Sequence, residues 1–516
     1  MSCPSSVESP TGEPSPEVPS SYGQILRSSS IIGGATGINH VVGLIRTKIV
    51  AVLLGPSGVG LVGMYVQLSG TIGVLAGLGI GSSGVRQIAE AHGSGDPTRM
   101  AGTVKTLRRL SWVTGFLGWI LAASLALPLS KWIFEDASHA WAIALLGSTI
   151  LFSAISSGQT ALLEGVRRIG DLARIQVVTS LLNTVAAIAL YAWLHDQGIV
   201  PVLMVTAVIQ WMVSWSFARQ VQPSPVSLNA AETLRYGKEL VSLGLVFMWS
   251  GLLTSVVLLA IRALIIRELG LDANGLYQAA WGISGMFAGF ILGAMAADFY
   301  PRLTAAANDH EAVNRLVNEQ TEIGILLALP GLMGTLAFAP WLMHVLYSAK
   351  FIPGADLLPW FVLGVFGQVI SWPMGFVVIA KNQKKWFLAT TTLASLLNLG
   401  FTYWFLKTMG LIGAAIAMPV LYVFYTFLVV AVSRHLTGFR WNRDASRLLL
   451  ASGVIVVCGF TAACALPEVA GLVVGGILVI ASAIFSLRGL ARRLGKEHRM
   501  IQIATRAPGA RWLLGW

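Results

Sequence analysis

The sequence predicts an all-α polytopic membrane protein with about fourteen transmembrane helices. Of its 516 residues, 55% are hydrophobic and only 11% are charged, whereas a soluble domain carries about 25% charged residues. The mean hydropathy is +0.72. The apolar residues also fall into segments of sufficient length, since ~20 helical residues cross the ~30 Å hydrocarbon core. Because a backbone in lipid must satisfy its own hydrogen bonds, these segments are predicted to be helices.

The elements follow one another with short connections. We place the fourteen spans near 28–54, 59–85, 106–130, 139–163, 172–194, 199–219, 239–266, 274–300, 321–347, 355–379, 386–408, 411–433, 446–466 and 469–489. The Ser-, Pro- and Glu-rich residues 1–25 are predicted to form a disordered tail. Residues 491–516 are predicted to form a basic tail.

The positive charges predict the orientation of the chain. Of the 35 Lys and Arg residues, 28 fall in one set of connections and tails, and only four fall in the opposite set. Such an excess is typical of the cytoplasmic side, so both termini are expected in the cytoplasm. The net charge of +12 therefore needs no nucleic-acid partner, and membrane lipids are the expected contacts of the basic loops. The remaining three cations, Arg46, Lys48 and Arg262, fall inside predicted spans.

Several function classes lack their sequence patterns. The chain has no phosphate-binding loop, zinc-protease motif or nucleophile elbow. Its three cysteines are scattered and predict neither disulfides nor a metal site. No carboxylate stands in the middle of a span, where a cation-coupled antiporter or a membrane enzyme would need one. We therefore expect neither an enzyme nor a cofactor.

A repeat with an offset of 215 residues divides the chain into two lobes. "LLGPSGVGL" joins spans one and two, and "ELGLDANGL" joins spans seven and eight, which pairs Gly55 with Gly270 and Gly60 with Gly275. A weaker echo relates the turns near Gly198 and Gly410. Parallel repeats of this kind enclose a substrate site between them. The predicted division is an N-lobe at 26–220, a linker at 221–238, a C-lobe at 239–435 and two extra helices at 436–490.

The three intramembrane cations are candidates for a binding site. At the same offset, Arg262 pairs with Thr47, which lies between Arg46 and Lys48. Arg46 and Lys48 point about 200° apart on a helix, and Asn39 shares the face of Arg46. A cationic cavity without a buried acid suits an anion such as a phosphate. The alternative is that the cations extend to the interface and serve no site.

Four stretches carry a resemblance to a known family. "GLIRTKIVAVLLGPSGVGLVGMYVQL" and "VLAGLGIGSSGVRQIAEA" resemble the amino-terminal signature of Wzx-type O-antigen flippases, in the polysaccharide transporter branch of the multidrug/oligosaccharidyl-lipid/polysaccharide (MOP) superfamily. "LLEGVRRIGDLARIQ" and "AMAADFYPRLTAAAND" are also similar to family segments. The resemblance covers about residues 25–435.

The resemblance implies two six-helix lobes around a central cavity, and alternating access. Its expected substrate is an undecaprenyl-diphosphate-linked oligosaccharide, moved from the cytoplasmic to the periplasmic leaflet of the bacterial inner membrane. Lys48 matches a basic position of the family. We predict that Arg46, Lys48, Arg262 and Asn39 bind the diphosphate in the central cavity.

Two further groups of residues receive predicted roles. Arg86, Arg302 and Asp298 are candidates for the point where the diphosphate is taken up, although Arg86 and Arg302 also fit a role in setting topology. Gly55, Gly60, Gly270 and Gly275 are predicted to form outer-gate turns. Other polysaccharide-assembly membrane proteins are candidate partners. The alternatives are a drug or cation antiporter of the same superfamily and a membrane glycosyltransferase or polymerase.

Overall fold

The computed structural model describes residues 21–221 and 229–494, and these residues form thirteen α-helices and two short 3-10 helices. The 3-10 helices are His195–Gly198 and Ala349–Leu357. Most of the two predicted tails, and residues 222–228 of the predicted linker, lie outside the described residues. The α-helices are α1 (Ser21–Gly77), α2 (Ile80–Gly93), α3 (Pro97–Phe134), α4 (Ala140–Gly165), α5 (Ile169–Leu194), α6 (Ile199–Ala218), α7 (Ala230–Ala305), α8 (His310–Ala337), α9 (Ala339–Leu346), α10 (Leu358–Ala380), α11 (Lys384–Thr437), α12 (Arg443–Ala465) and α13 (Glu468–Leu494).

Three of the longest helices each contain two membrane crossings joined at a glycine. Gly55 in α1, Gly270 in α7 and Gly410 in α11 have φ angles of 66°, 86° and 65°, and each redirects the chain. Only glycine adopts such angles without strain. Ten helical segments are long and apolar enough to span a membrane, and four of them hold two crossings, so the described chain confirms the prediction of fourteen.

The backbone repeats itself at the predicted offset of 215 residues. Positive φ angles occur in pairs at this spacing, at Gly55 and Gly270, at Arg167 and Asn382, and at His195 and Gly410. Helices α4 and α10 end at equivalent positions, and helices α5 and α11 begin at equivalent positions. The pseudo-symmetry of the two lobes, which the sequence predicted from two short turns, therefore extends beyond those turns to other parts of the described fold.

One predicted span has different limits. The sequence placed span nine at 321–347, but α8 begins at His310 and ends at Ala337. Phe338 leaves the helical conformation, and the short α9 follows with Pro340 in its first turn. Proline lacks the N–H that would continue the preceding helix, so the apolar run is split into two helices.

The two extra helices pack against the outside of the C-lobe. Gly475 and Gly489 of α13 allow close contact with Ala337 and Leu326 of α8. Near the end of α13, Arg493 forms a short ion pair with the buried Glu322 of α8. These contacts place α13 against α8 of the C-lobe.

The helix ends define two faces of the molecule. We call the face that carries the kinks at Gly55, Gly270 and Gly410 the turn face, and the opposite face, which carries Arg86, Arg302 and Lys384, the basic face. The part of α1 or α7 before its kink is called its first arm, and the part after it the second arm. Each lobe has its own apolar core, centred on Leu68 and Ile143 in the N-lobe and on Leu329 and Phe361 in the C-lobe.

Candidate functional site

The two lobes are sealed together at the turn face by their glycines. A Cβ atom on Gly60 would lie 2.3 Å from the carbonyl oxygen of Leu271, and one on Gly275 would lie 1.9 Å from that of Pro56. The fully buried Asn274 donates a 2.8 Å hydrogen bond from its Nδ2 to the carbonyl of Gly60. The two turns thus meet backbone to backbone, and no other residue type fits at Gly60 or Gly275 in this conformation.

Charged side chains add two further contacts between the lobes on this face. Lys48 of α1 donates a 2.6 Å hydrogen bond from its Nζ to the carbonyl of His344, in the last turn of α9. A cation there complements the negative end of the helix dipole. Arg267 of α7 forms a 3.2 Å ion pair with Glu135, which follows α3.

The basic face is packed differently. The short connection between α1 and α2 touches the first arm of α7 at Gly79 and Gly244, where an added Cβ would lie 2.1 Å from a carbonyl oxygen. The first arm of α1 and the second arm of α7 have open space beside several of their glycines. Among the described residues, an added Cβ would meet nothing within 4 Å at Gly33, Gly34 and Gly37 of α1, or at Gly285, Gly289 and Gly293 of α7. The molecule is therefore closed on the turn face, whereas these two arms are loosely packed around the named glycines.

A cavity of about 860 Å³ lies within the N-lobe and borders α7. Its walls come from α1, α2, α3, α4, α5 and α6, with Met248 and Gly251 of α7 on the side of the lobe interface. Small polar side chains and glycines dominate the lining. The polar members are Ser69, Ser82, Ser111, Thr114, Thr149, Ser153, Ser157, Thr160, Glu164, Asn183, Thr206 and Gln210. Such a wall offers hydrogen bonds over a large area with little charge.

Sequence reasoning missed this cavity, although the sequence contains a signal for it. On α4, hydroxyl groups recur at Thr149, Ser153, Ser157 and Thr160. Spacings of three and four residues place these side chains on one helix face. A polar stripe on a helix within an apolar lobe indicates a hydrated space, because lipid or a packed core would leave the hydroxyl groups without water.

The residues predicted to bind the diphosphate contact different elements. Arg46 interacts electrostatically with Tyr191 of α5, inside the N-lobe. Lys48 reaches α9 of the C-lobe, so the predicted divergence of these two side chains is what the structure shows. Asn39 is half-buried in the first arm of α1. Arg46, Lys48, Arg262 and Asn39 are not among the residues that line the 860 Å³ cavity, and their role stays a prediction.

Arg262 occupies the most constrained position of the three cations. Its side chain is 8% exposed, and its Nη1 has no hydrogen-bond partner among the described residues. The guanidinium packs against Gly63 of α1, where an added Cβ would lie 2.8 Å from Nη1. The Oε1 of Gln278, beside the same glycine, is also buried and unpaired. A buried donor with free bonding capacity is costly, so this site can gain from an acceptor.

The candidate uptake residues lie at the surface of the basic face. Arg86 pairs with Glu90 at 2.9 Å, and Arg302 pairs with Asp298 at 3.0 Å. All four side chains are largely exposed, and exposed pairs of this kind contribute little to stability. A phosphate would have to compete with these carboxylates, and the predicted uptake role stays a prediction.

Buried carboxylates in the described chain are already paired. Asp171 contacts Arg168 at 2.6 Å and Arg174 at 3.3 Å, and Glu322 contacts Arg493. Among residues whose burial the structure describes, the only other buried charged side chain is Arg262. The described part of the lobe interface therefore offers an unpaired buried cation but no unpaired buried acid.

Comparison with known proteins gives the family. The model of a family described as "Polysaccharide biosynthesis protein" matches residues 49–356. The chain belongs to the polysaccharide biosynthesis protein family. The match includes Arg262, the four glycines of the predicted outer-gate turns and the 860 Å³ cavity of this family member.

Among curated proteins, the family member is similar to flippases. The lipid III flippase of Escherichia coli (strain K12) is 26% identical over 429 residues, which cover 79% of this chain and 98% of that protein. The probable low-salt glycan biosynthesis flippase Agl15 of Haloferax volcanii is 23% identical over 422 residues, which cover 78% of this chain and 83% of that protein. These relatives are transporters by name rather than catalysts.

Solved structures share the fold. The lipid II flippase MurJ in an inward closed conformation has a TM-score of 0.67 at 13% identity, covering 90% of this chain and all 100% of that one. An inward-facing MATE family transporter of the MOP superfamily has a TM-score of 0.64 at 17% identity, covering 80% of this chain and 95% of that one. The MOP superfamily fold expected from the sequence is confirmed.

Proposed function

We propose that this protein is a flippase that carries a polyprenyl-diphosphate-linked glycan across a bacterial cytoplasmic membrane by alternating access. The family, and the similarity to flippases of lipid-linked and glycan substrates, support this class of substrate. The 28-to-4 distribution of cations supports a cytoplasmic basic face and cytoplasmic termini. Transport then runs from the basic face to the turn face.

The observation that carries the proposal is the asymmetric packing of the two lobes. The turn face is sealed by glycine contacts at Gly60 and Gly275, while the described residues leave open space beside Gly33, Gly34 and Gly37 of the first arm of α1 and beside Gly285, Gly289 and Gly293 of the second arm of α7. A polar cavity of about 860 Å³ adjoins this interface. A transporter whose resting state receives its substrate from the basic face needs both a closed outer gate and an accessible polar interior.

The three chemical parts of the substrate would separate among three environments. The glycan would occupy the N-lobe cavity, where Asn183, Gln210 and the serine and threonine hydroxyl groups offer hydrogen bonds. The diphosphate would bind the intramembrane cations Arg262, Lys48 and Arg46, with Asn39 as a neutral donor. The prenyl chain would stay in lipid beside the loosely packed arms.

Binding of the diphosphate would also shift the protein towards the state that is open at the turn face. Lys48 holds the lobes together through the carbonyl of His344, and Arg262 lies buried at the same interface with an unpaired Nη1. A diphosphate would offer both cations stronger, charged acceptors. A ligand shifts a conformational equilibrium only through such a difference in contacts between the two states.

The alternative functions are less well supported by the buried charges. A drug or cation antiporter needs an acid that is free to bind a proton or a cation, whereas the buried Asp171 and Glu322 of the described chain are both in ion pairs. A glycosyltransferase or polymerase needs a catalytic acid near a substrate cleft. Glu164 is the one carboxylate that lines the N-lobe cavity within the described residues. A Glu164→Gln variant that kept full export would exclude such a catalytic role for it.

The proposed function can be tested in cells by measuring where the polyprenyl-linked glycan accumulates, rather than by measuring cell growth. Cells that lack the protein should accumulate the polyprenyl-linked glycan on the cytoplasmic leaflet, and the wild-type gene should clear it. An Arg262→Met variant of equal abundance should leave the accumulation in place. Loss of the protein without any accumulation would contradict the proposed function.

A further inference from the structure

The C-lobe contains a second cavity, of about 340 Å³. Its walls come from α10, from the parts of α11 before and after its kink at Gly410, and from Thr254 of α7. Thr254 lies one helical turn after Gly251, which lines the N-lobe cavity. The first arm of α7 therefore separates the two cavities. Their volumes fall within the ~300–1,000 Å³ that small-molecule pockets occupy.

The two cavities are related by the internal repeat. Residues that line the N-lobe cavity correspond, at the offset of 215, to residues that line the C-lobe cavity. The pairs are Ser153 and Gln368, Ser157 and Trp372, Thr160 and Gly375, Ala161 and Phe376, Glu164 and Ile379, Asn183 and Asn398, Thr206 and Leu421, Ala207 and Tyr422, and Gln210 and Tyr425. The asparagine is kept, whereas small side chains of the N-lobe are replaced by aromatic ones.

This replacement explains both the size and the chemistry of the C-lobe cavity. Trp372 and Phe376 pack with their ring centroids 4.5 Å apart, and Tyr422 and Tyr425 meet edge to face at 6.2 Å. Gly367 leaves room for Tyr422, because a Cβ on Gly367 would lie 2.8 Å from the Cβ of Tyr422. Aromatic rings thus form two walls of a narrow space.

Four polar side chains of the same cavity have no hydrogen-bond partners. In the described chain, the side chains of Gln368, Asn398, Tyr422 and Tyr425 make no hydrogen bond with other residues. Among the residues that the structure describes, no carboxylate or cationic side chain lines the cavity. Aromatic faces are negative and attract C–H groups, while the amides and phenols offer directional hydrogen bonds. A sugar ring presents both C–H faces and hydroxyl groups, so this wall matches a carbohydrate.

We propose that the C-lobe cavity is a second carbohydrate subsite, which binds a sugar of the transported glycan through Trp372, Asn398, Tyr422 and Tyr425. The proposal rests on the proposed function and adds the site in the C-lobe. The N-lobe cavity offers the glycan a larger volume and many hydroxyl groups. The C-lobe cavity offers aromatic rings on which a sugar can stack, in a narrower space. A glycan that contacts both cavities spans the first arm of α7 and bridges the lobes.

Two other guests fit the cavity less well. A prenyl chain would leave the amides of Gln368 and Asn398 buried against hydrocarbon, and each unpaired polar group carries a penalty. An organic cation would find aromatic faces but no carboxylate to balance its charge. A neutral or weakly charged saccharide satisfies both the rings and the amides.

The test measures binding of a free saccharide to the purified full-length protein. The probe is the oligosaccharide released by mild acid from the polyprenyl-linked glycan of the source membranes, followed by equilibrium dialysis. Tyr422→Phe, Tyr425→Phe and Asn398→Leu each remove a hydrogen bond at nearly constant volume, and should each weaken binding about three- to tenfold. Tyr403→Phe is the matched control, since Tyr403 is an exposed residue of α11 outside the cavity.

The outcomes separate this proposal from the proposed function. Weaker binding in the three cavity variants, with Tyr403→Phe and the unfolding temperatures unchanged, supports the subsite. Wild-type protein that binds no oligosaccharide, or cavity variants that all bind within twofold of wild type, overturn it. Flipping of the intact lipid-linked glycan is measured in parallel on the same preparations. Flipping without any effect of the cavity variants removes only the subsite, and altered binding without flipping removes only the proposed function.

Discussion

The ammonium group of Lys48 and the backbone carbonyl of His344, 296 positions apart in the chain, are joined by a 2.6 Å hydrogen bond that links the two lobes. The bond lies at the end of α9 and on the turn face, so it is made only while that face is closed. A charge-assisted hydrogen bond of this kind contributes about 1–2 kcal/mol when it is partly exposed. A difference of that size changes a two-state ratio by a factor of ~5–30.

Lys48→Met should therefore favour opening of the turn face and reduce export. We expect higher thiol reactivity of a cysteine placed at Ala273, a partly buried residue of the facing turn, and no export, because the same cation is proposed to bind the diphosphate. Lys48→Arg should keep part of both functions. Lys131→Met, which removes an exposed lysine of the same face, is the control. Normal export by Lys48→Met would show that Lys48 serves neither the closed state nor the substrate.

Gly60 and Gly275 should tolerate no side chain when the turn face is closed. Alanine at either position would place its Cβ 2.3 Å or 1.9 Å from a backbone oxygen of the facing turn. Gly60→Ala, Gly275→Ala and the corresponding Trp variants should shift the protein towards the state open at the turn face and slow turnover. The shift is measured as increased thiol labelling on the turn face and decreased labelling at Arg86 and Arg302 positions.

The matched control for these glycines is Gly285→Ala, on the same helix as Gly275. A Cβ there meets nothing within 4 Å, so labelling and export should stay normal. If Gly60→Ala and Gly275→Ala also label like wild type, the turns only shape the loops and do not form a gate.

Arg262→Met should separate stability from transport. Removing a buried guanidinium with an unpaired Nη1 is expected to stabilise the resting protein by ~1–3 kcal/mol, which a thermal unfolding scan detects. Export should nevertheless be lost, because the proposed diphosphate contact is gone. Arg302→Met, at an exposed pair, should leave the unfolding temperature nearly unchanged. A variant that is less stable and still active would assign Arg262 a structural role only.

Glu322 and Arg493 should act as a structural pair. Since Glu322 is buried and Arg493 is only 27% exposed, Glu322→Gln is expected to lower stability by ~3 kcal/mol. The double variant Glu322→Met/Arg493→Met should recover most of that loss and keep export. A stable double variant that had lost export would mean that Glu322 couples transport to an ion.

The orientation can be tested at exposed positions. Single cysteines at Ser57, Ser138 and Lys350 on the turn face should react with an impermeant reagent added to the outside of cells, and those at Ser94 and Gln383 on the basic face should not. All five residues are exposed, so a difference in labelling between them reports the side of the membrane and not burial. Reversed labelling would reverse the proposed direction of transport.

The sequence was most informative where local chemistry determines structure. Hydropathy predicted the fourteen crossings, and the turns at Gly55 and Gly270 predicted the kinks, because glycine and proline act on the backbone at their own positions. The internal repeat was also visible in the sequence. The pair Asn183 and Asn398 has the same offset and would have indicated two related cavities.

Contacts between distant segments could not be predicted in the same way. Nothing near Lys48 indicates that its partner is the carbonyl of His344, because a backbone acceptor leaves no mark in the sequence. The pair of Glu322 and Arg493 depends on how α13 packs against α8. For the same reason, the sequence could not indicate that Arg46, Lys48 and Arg262, which lie at similar depth, contact three different surroundings in this conformation.

The central claim is tested most directly with proteoliposomes that contain only this protein and the polyprenyl-linked glycan extracted from the source membranes. Protein-dependent exposure of the glycan on the opposite leaflet, measured with a glycosidase that cannot cross the bilayer, is the predicted result. Gly275→Trp and Arg262→Met should reduce the rate at least tenfold, while Gly285→Ala should not. Equal exposure in liposomes with and without the wild-type protein would contradict the account.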